Sequence, residues 1–139
     1  MKKIIVVDYS LNYAETLKDF LAASENVECT AFTYPYAVLR QITNDRNVDI
    51  VIAEYQMPEM NGFELADKIL KLNPDIRMIV MNNKGLDYLR KRRKENKVCG
   101  RVELIAKNDV DFFESLTREL KERETSLFML YIRINIYCQ

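Results

Sequence analysis

Asp49-Ile50-Val51-Ile52-Ala53-Glu54-Tyr55-Gln56-Met57-Pro58-Glu59-Met60-Asn61-Gly62 is the stretch that decides how this chain folds. Asp49 to Ala53 carries a short apolar run with no polar alternation, the pattern of a strand covered on both faces, as in a parallel sheet. Tyr55 to Gly62 supplies turn residues. Phe63, Ala66, Ile69 and Leu70 then recur at helical spacing until Asn73-Pro74 stops them.

The same unit repeats in both directions. Upstream, Ile4 to Val7 is a β-branched strand, and Ser10 caps a helix that carries Ala14, Leu17, Phe20 and Leu21 and ends at Ser24 and Asn26. Val27 to Phe32 is a second strand, and Pro35 suits the first turn of a helix with Val38, Leu39 and Ile42. Downstream, Ile76 to Met81 reads as a strand, Leu86 to Lys97 as a strongly basic helix, Arg101 to Ala106 as a strand and Val110 to about Lys121 as a helix.

Strands separated by crossover helices must be parallel, and right-handed crossovers place helices on both faces. The predicted fold class is therefore α/β: a doubly wound five-stranded parallel sheet, (βα)5, in a three-layer α/β/α sandwich. Ligands of such sheets sit beyond the carboxyl ends of the strands. The residues closing strands one, three, four and five are Asp8, Glu54, Asn82 and Lys107. Any one of them reads as a solvated turn, and only the set of four carries information.

The chain has 139 residues, enough for one substantial core, and its 21 basic side chains balance 21 acidic ones, so no global field draws in nucleic acid or an anionic membrane. Cys29, Cys99 and Cys138 are odd in number and widely spaced, and the chain has no histidine. Neither a disulfide framework nor a zinc pattern is expected, which fits a cytoplasmic protein. Asp8 interrupts the first apolar run too early for a signal peptide. Without histidine, a nucleophile-base pair or a phosphate-binding glycine motif, the chain is expected to be no enzyme.

The stretch from Asp49 to Gly62 resembles the phosphorylation loop of response-regulator receiver domains: an apolar strand, an acid, two residues, Met57-Pro58, two residues and Asn61-Gly62. Val6-Val7-Asp8, Gly100 and Lys107 follow in the family's order, and the resemblance runs over about residues 2 to 122. It implies a flavodoxin-like receiver domain over 1–122 with an apolar C-terminal extension over 123–139. Receivers accept a phosphoryl group from a histidine kinase onto an Asp, with Mg²⁺ offsetting charge and a Lys holding the product.

The departures from that pattern define the expected function. Glu54 stands at the acceptor position, where its additional methylene misplaces the carboxylate for in-line attack. Tyr9 falls where a directly ligating carboxylate belongs, so no cofactor is expected beyond a weakened Mg²⁺ site of Asp8, Glu54 and the carbonyl of Gln56. Asn82 replaces the switch hydroxyl, Asn83 the small residue after it, Leu104 the switch aromatic and Asn108 the proline after Lys107. Two readings of Glu54 remain: pairing with Lys107 as a fixed charge where the phosphoryl charge would lie, or a structural ion network with Asp8 and Lys107 that keeps the fold.

The expected protein is an atypical single-domain receiver in two-component or phosphorelay signalling, working by protein-protein contacts. By resemblance, its partner, whether kinase, regulator or second copy, docks on the face of the fourth helix, fifth strand and fifth helix. The run Arg90-Lys91-Arg92-Arg93-Lys94 with Lys84 and Lys97 makes that helix positive; such a run reads first as a solvated helix face, next as a protein-partner surface and last, because little aromatic surface interleaves, as a nucleic-acid surface. The rival readings are a DNA-associated regulator using that helix, and a flavodoxin-like cofactor protein, for which the Tyr9-Ser10-Leu11-Asn12 loop lacks a flavin-phosphate cradle. In the extension, Ile132, Ile134 and Ile136 alternate with Arg133 and Asn135, strand periodicity that fits either a segment folded back onto its own domain or a homodimer aided by 127–137, and that is too short and polar for a membrane helix.

Overall fold

A computed structural model describes residues 1–121 of the chain. They fall into two compact units, Met1–Asp109 and a second that begins at Val110. The first contains β1 (Lys2–Val7), α1 (Leu11–Ala22), β2 (Val27–Phe32), α2 (Pro35–Asn44), β3 (Ile50–Glu54), α3 (Gly62–Leu72), β4 (Arg77–Asn82), α4 (Leu86–Glu95) and β5 (Val102–Ala106). The second contributes α5, residues 110–121, with Phe113, Leu116 and Leu120 buried along one side.

All five strands pair in parallel in the order β2-β1-β3-β4-β5. With right-handed crossovers, the step from β1 to β2 runs opposite to the later steps, so α1 lies on one face and α2, α3 and α4 on the other. The burial pattern agrees. Ile5, Val7, Val51, Ala53 and Met78 form one core with Val38 and Ile42 of α2 and Leu65, Ala66, Ile69 and Leu70 of α3. Val80 joins Phe63 and Leu89 under α4. The alternate residues Ile4, Val6 and Ile52 are equally buried on the other face, where α1 crosses β1 and β2 with Ala14, Leu17 and Leu21. The expected doubly wound, three-layer, flavodoxin-like sandwich is therefore the architecture, and strand order reverses between β1 and β3, the switch point where such sheets open a crevice.

Three expectations shift. Phe20 is 43% exposed, because the stripe Ala14, Leu17 and Leu21 already faces the sheet and residue 20 lies about 100° away around the helix. Helix α4 ends at Glu95, short of Lys97, since Asn96 turns extended and its side-chain amide takes the Arg92 carbonyl at 2.8 Å. Glu54 and Asn82 are the last residues of β3 and β4, paired with Met81 and Ala106, where the sequence had ended both strands one residue earlier. Tyr55 N–H donating to the Met81 carbonyl at 2.8 Å extends that ladder past Glu54. The predicted alternating segment within 127–137 lies outside the described residues.

Candidate functional site

Parallel strands of matched register end along one edge, so four polar residues from four strands emerge together. Asp8 follows β1, held by its N–H to the Phe32 carbonyl at 3.0 Å. Glu54 closes β3, Asn82 closes β4, and Lys107 follows β5 with its N–H on the Asn82 carbonyl at 3.0 Å. Asp8, Glu54 and Asn82 are all buried, at 2%, 5% and 1% exposure, and such burial of acids demands partners.

Lys107 supplies the charge. Its Nζ stands 2.6 Å from Asp8 Oδ2 and 3.0 Å from Glu54 Oε2. Lys107 thus forms a close ion pair with each of the two acids. Burial alone pushes the Lys107 ammonium down, but its contacts with Asp8 and Glu54 together outweigh that and hold it above lysine's ordinary value. Directional bonds serve the remaining oxygens. Asp8 Oδ1 accepts the Ser10 N–H at 2.8 Å, and Glu54 Oε1 accepts the Gln56 N–H at 3.1 Å and the Asn82 amide at 2.6 Å. Asn82 Oδ1 in turn accepts the Lys84 N–H at 2.8 Å, which orients the amide toward Glu54.

The β3–α3 loop holds Glu54 from behind. Met57 and Met60 sink into the core, and the Gly62 N–H returns to the Tyr55 carbonyl at 2.8 Å. A Cβ on Gly62 would stand 2.7 Å from the Glu54 carbonyl oxygen, so only glycine lets the helix start this close to the strand end. Asn61 caps α3 by accepting the Phe63 and Glu64 N–H groups at 3.0 and 2.9 Å.

Tyr13, which the sequence reading did not single out, closes the lysine from the α1 side. Its ring centroid lies 4.1 Å from Lys107 Nζ, and its hydroxyl donates to the Lys107 carbonyl at 3.1 Å. Burial, followed by the charges of Asp8 and Glu54, pushes its phenol up to about 12. The available signal was an aromatic three residues after the capping Ser10, one helical step from the strand end.

Of the remaining expected positions, only Gln56 touches the cluster, through its backbone N–H to Glu54. Tyr9 is 60% exposed. Leu104 is half-buried against Phe63, Val80 and Leu89, beside Tyr55. Asn83 and Asn108 are exposed, and no cis peptide bond occurs among the described residues. On α4, Tyr88 packs edge-on to Tyr55 at 5.9 Å and is overlain by Lys84 and Arg92 at 4.9 and 5.0 Å. A recess of about 500 Å³, lined by Lys3, Asp49, Asn73 and Asp75 among others, shares no residue with the cluster.

A Mg²⁺ ion on Asp8, Glu54 and the Gln56 carbonyl would compete with Lys107 for the same two carboxylates. That ion needs near-octahedral oxygen ligands, yet each carboxylate oxygen of Asp8 and Glu54 already faces an N–H group or the Lys107 ammonium. No group of three or more His, Cys, Asp or Glu side chains able to hold a metal occurs among the described residues. The cation of this site is its own lysine.

Comparison with known proteins agrees with this architecture. Residues 4–108 match the response regulator receiver domain family. The chain is similar to chemotaxis protein CheY of Thermotoga maritima, 28% identical over 60% of this chain and 69% of that one. It is also similar to a protein-glutamate methylesterase/protein-glutamine glutaminase of Burkholderia thailandensis, 24% identical over 88% of this chain, which spans 33% of that relative's length. Among solved structures, a response regulator receiver domain protein from Clostridium thermocellum superposes with a TM-score of 0.71 at 24% identity, covering 91% of this chain and 99% of that one.

Proposed function

Because the chain belongs to the response regulator receiver domain family, we propose that it is an atypical receiver that signals in a two-component or phosphorelay pathway without ordinary aspartyl phosphorylation. One observation carries the reading: the acid at the acceptor position is Glu54, and both its oxygens are engaged, Oε2 by Lys107 and Oε1 by Asn82 and the Gln56 N–H. A nucleophile needs a free lone pair aimed at the incoming phosphorus and a cation to offset its charge. Glu54 has Oε1 committed to two N–H donors and Oε2 held against the Lys107 ammonium, so it holds a fixed negative charge against Lys107 and Asn82.

On this reading the protein is a cytoplasmic binding module with no turnover of its own. Its partner is a protein that meets α4 and β5, where Tyr88 and the basic ridge are displayed. No helix among the described residues is long and apolar enough to cross a membrane. The domain extends to residue 122, and the apolar segment 127–137 is proposed to aid self-association.

The test is incubation of the full chain with a small acyl-phosphate donor and Mg²⁺, read by intact mass, beside Glu54→Asp. The wild type is expected to gain no mass. A phosphoryl adduct on the wild type, whether or not it survives loss of Glu54, overturns the reading.

A further inference from the structure

Helix α4 is the least anchored helix of the first unit. Six residues of α3 and three each of α1 and α2 are buried, whereas Leu89 is the single buried residue of α4. Its charges also work against it. Arg90 to Lys94 are five consecutive cations, and like charges three or four residues apart on a helix repel. Asp87 and Glu95 pair with Arg90 and Arg92 at 3.0 and 2.9 Å, but Lys91 and Lys94 have no acid partner among the described residues. The cap residue is Gly85, so no side chain caps the amino end. Bonds from the segment between β3 and α3 hold the two ends. At the amino end, the Asn82 amide donates to Glu54 Oε1 at 2.6 Å while its Oδ1 accepts the Lys84 N–H at 2.8 Å, one residue before the cap. At the carboxyl end, the Asn61 amide donates to Asn96 Oδ1 at 3.3 Å, and Asn96 Nδ2 returns to the Arg92 carbonyl at 2.8 Å. Between them, Tyr55 meets Tyr88 edge-on at 5.9 Å.

We propose that residues 54–61 form a two-armed clasp that sets the position of α4, with Asn82 and Asn61 as its positioning residues, so that the Tyr88 face is displayed continuously and is not gated. The inference rests on the proposed reading in which Glu54 is a permanent charge and α4 meets the partner. A carboxylate that is always present keeps the Asn82 arm bonded, and the Asn61 arm needs no charge. The segment can bear this load because Met57 and Met60 bury it and the Gly62 N–H ties it back to the Tyr55 carbonyl. Cutting either arm leaves the sheet and α3 in place and leaves α4 held at one end and by Leu89. A helix with so little buried surface opens locally when an end is released, without unfolding the rest.

The test is amide hydrogen exchange of the full chain, read by mass over α4 (86–95) and, as internal reference, over α3 (65–72), in the wild type and two variants. Asn82→Ala removes the amino-end arm. Asn61→Ser removes the carboxyl-end arm and keeps the α3 cap, because a serine hydroxyl accepts the same N–H groups but carries no amide for Asn96. Each variant is expected to speed exchange over 86–95 by about three- to tenfold, the effect of losing one net hydrogen bond from the closed state, and to leave 65–72 within about twofold of the wild type. If Asn82→Ala does not fold, Asn61→Ser decides alone. Exchange over 86–95 that is unaltered in either folded variant overturns the proposal, and so does an equal rise over 65–72, which would mean that the whole domain had weakened. No phosphodonor is present, so failure here strikes the clasp alone, whereas a phosphoryl adduct in the intact-mass assay strikes the reading of Glu54.

Discussion

Replacing Lys107 with methionine tests how much of the fold depends on the charge cluster. Methionine keeps the length and apolar stem and deletes only the ammonium, which is the shared counter-ion of Asp8 and Glu54 at 2.6 and 3.0 Å. The two acids would face each other from sites 2% and 7% exposed at their side chains, with backbone and amide donors left on one oxygen of each. Removing one partner of a buried ion pair costs about 3 to 5 kcal/mol, because the uncompensated charge remains buried. For a domain of this size that is a large part of a total near 5 to 15 kcal/mol, and it lowers the melting temperature by roughly 10 to 20 °C. Urea and thermal unfolding followed by circular dichroism read the loss. A companion Glu54→Gln/Lys107→Met protein should recover part of it, since the amide relieves the repulsion with Asp8. A Lys107→Met loss below about 1 kcal/mol, the level of an exposed pair, would refute the argument that this lysine holds the site together.

Three further outcomes follow from the same geometry. Gly62→Ala should destabilise by about 1 to 3 kcal/mol, because its Cβ would overlap the Glu54 carbonyl at 2.7 Å, and a neutral result in urea unfolding would mean that the loop has room to move. Lys107 and Tyr13 both have raised values in the fold, so each contributes stability that is fully present below its unfolded value and lost as pH rises through the folded one. Stability should fall from pH 10.0, the ordinary tyrosine value, toward about 12, and Tyr13→Phe should flatten that fall; an unaltered slope counts against the Tyr13 environment described above. Millimolar Mg²⁺ should leave the melting temperature of the wild type unchanged, because Lys107 already neutralises the carboxylates, and a saturable rise would show that the ion displaces it.

The sequence by itself determined the order and type of elements, because hydrophobic periodicity and capping are local: Ile4 to Val7 reads as a covered strand, Ser10 caps α1 through the Tyr13 N–H, and Pro35 opens α2. It also marked Asp8, Glu54, Asn82 and Lys107 as the residues at which strands end, since parallel strands of one sheet finish on one edge. Misreadings arose where a local pattern met a tertiary decision. Phe20 has helical spacing, but the sheet selects which side of α1 is buried, and Asn96 ends α4 by turning its own side chain onto the Arg92 carbonyl. The family resemblance had already set Lys107 with Glu54 and Asp8; only the tertiary structure decided which atom faces which: that Asn82 bridges Glu54 and the Lys84 N–H, that Lys107 meets Asp8 Oδ2 and Glu54 Oε2, and that Tyr13 reaches it across 94 residues of chain. The physical reason is that periodicity assigns a residue to a face or a strand end, whereas charge pairing depends on distances of a few ångströms between segments that sequence spacing does not relate.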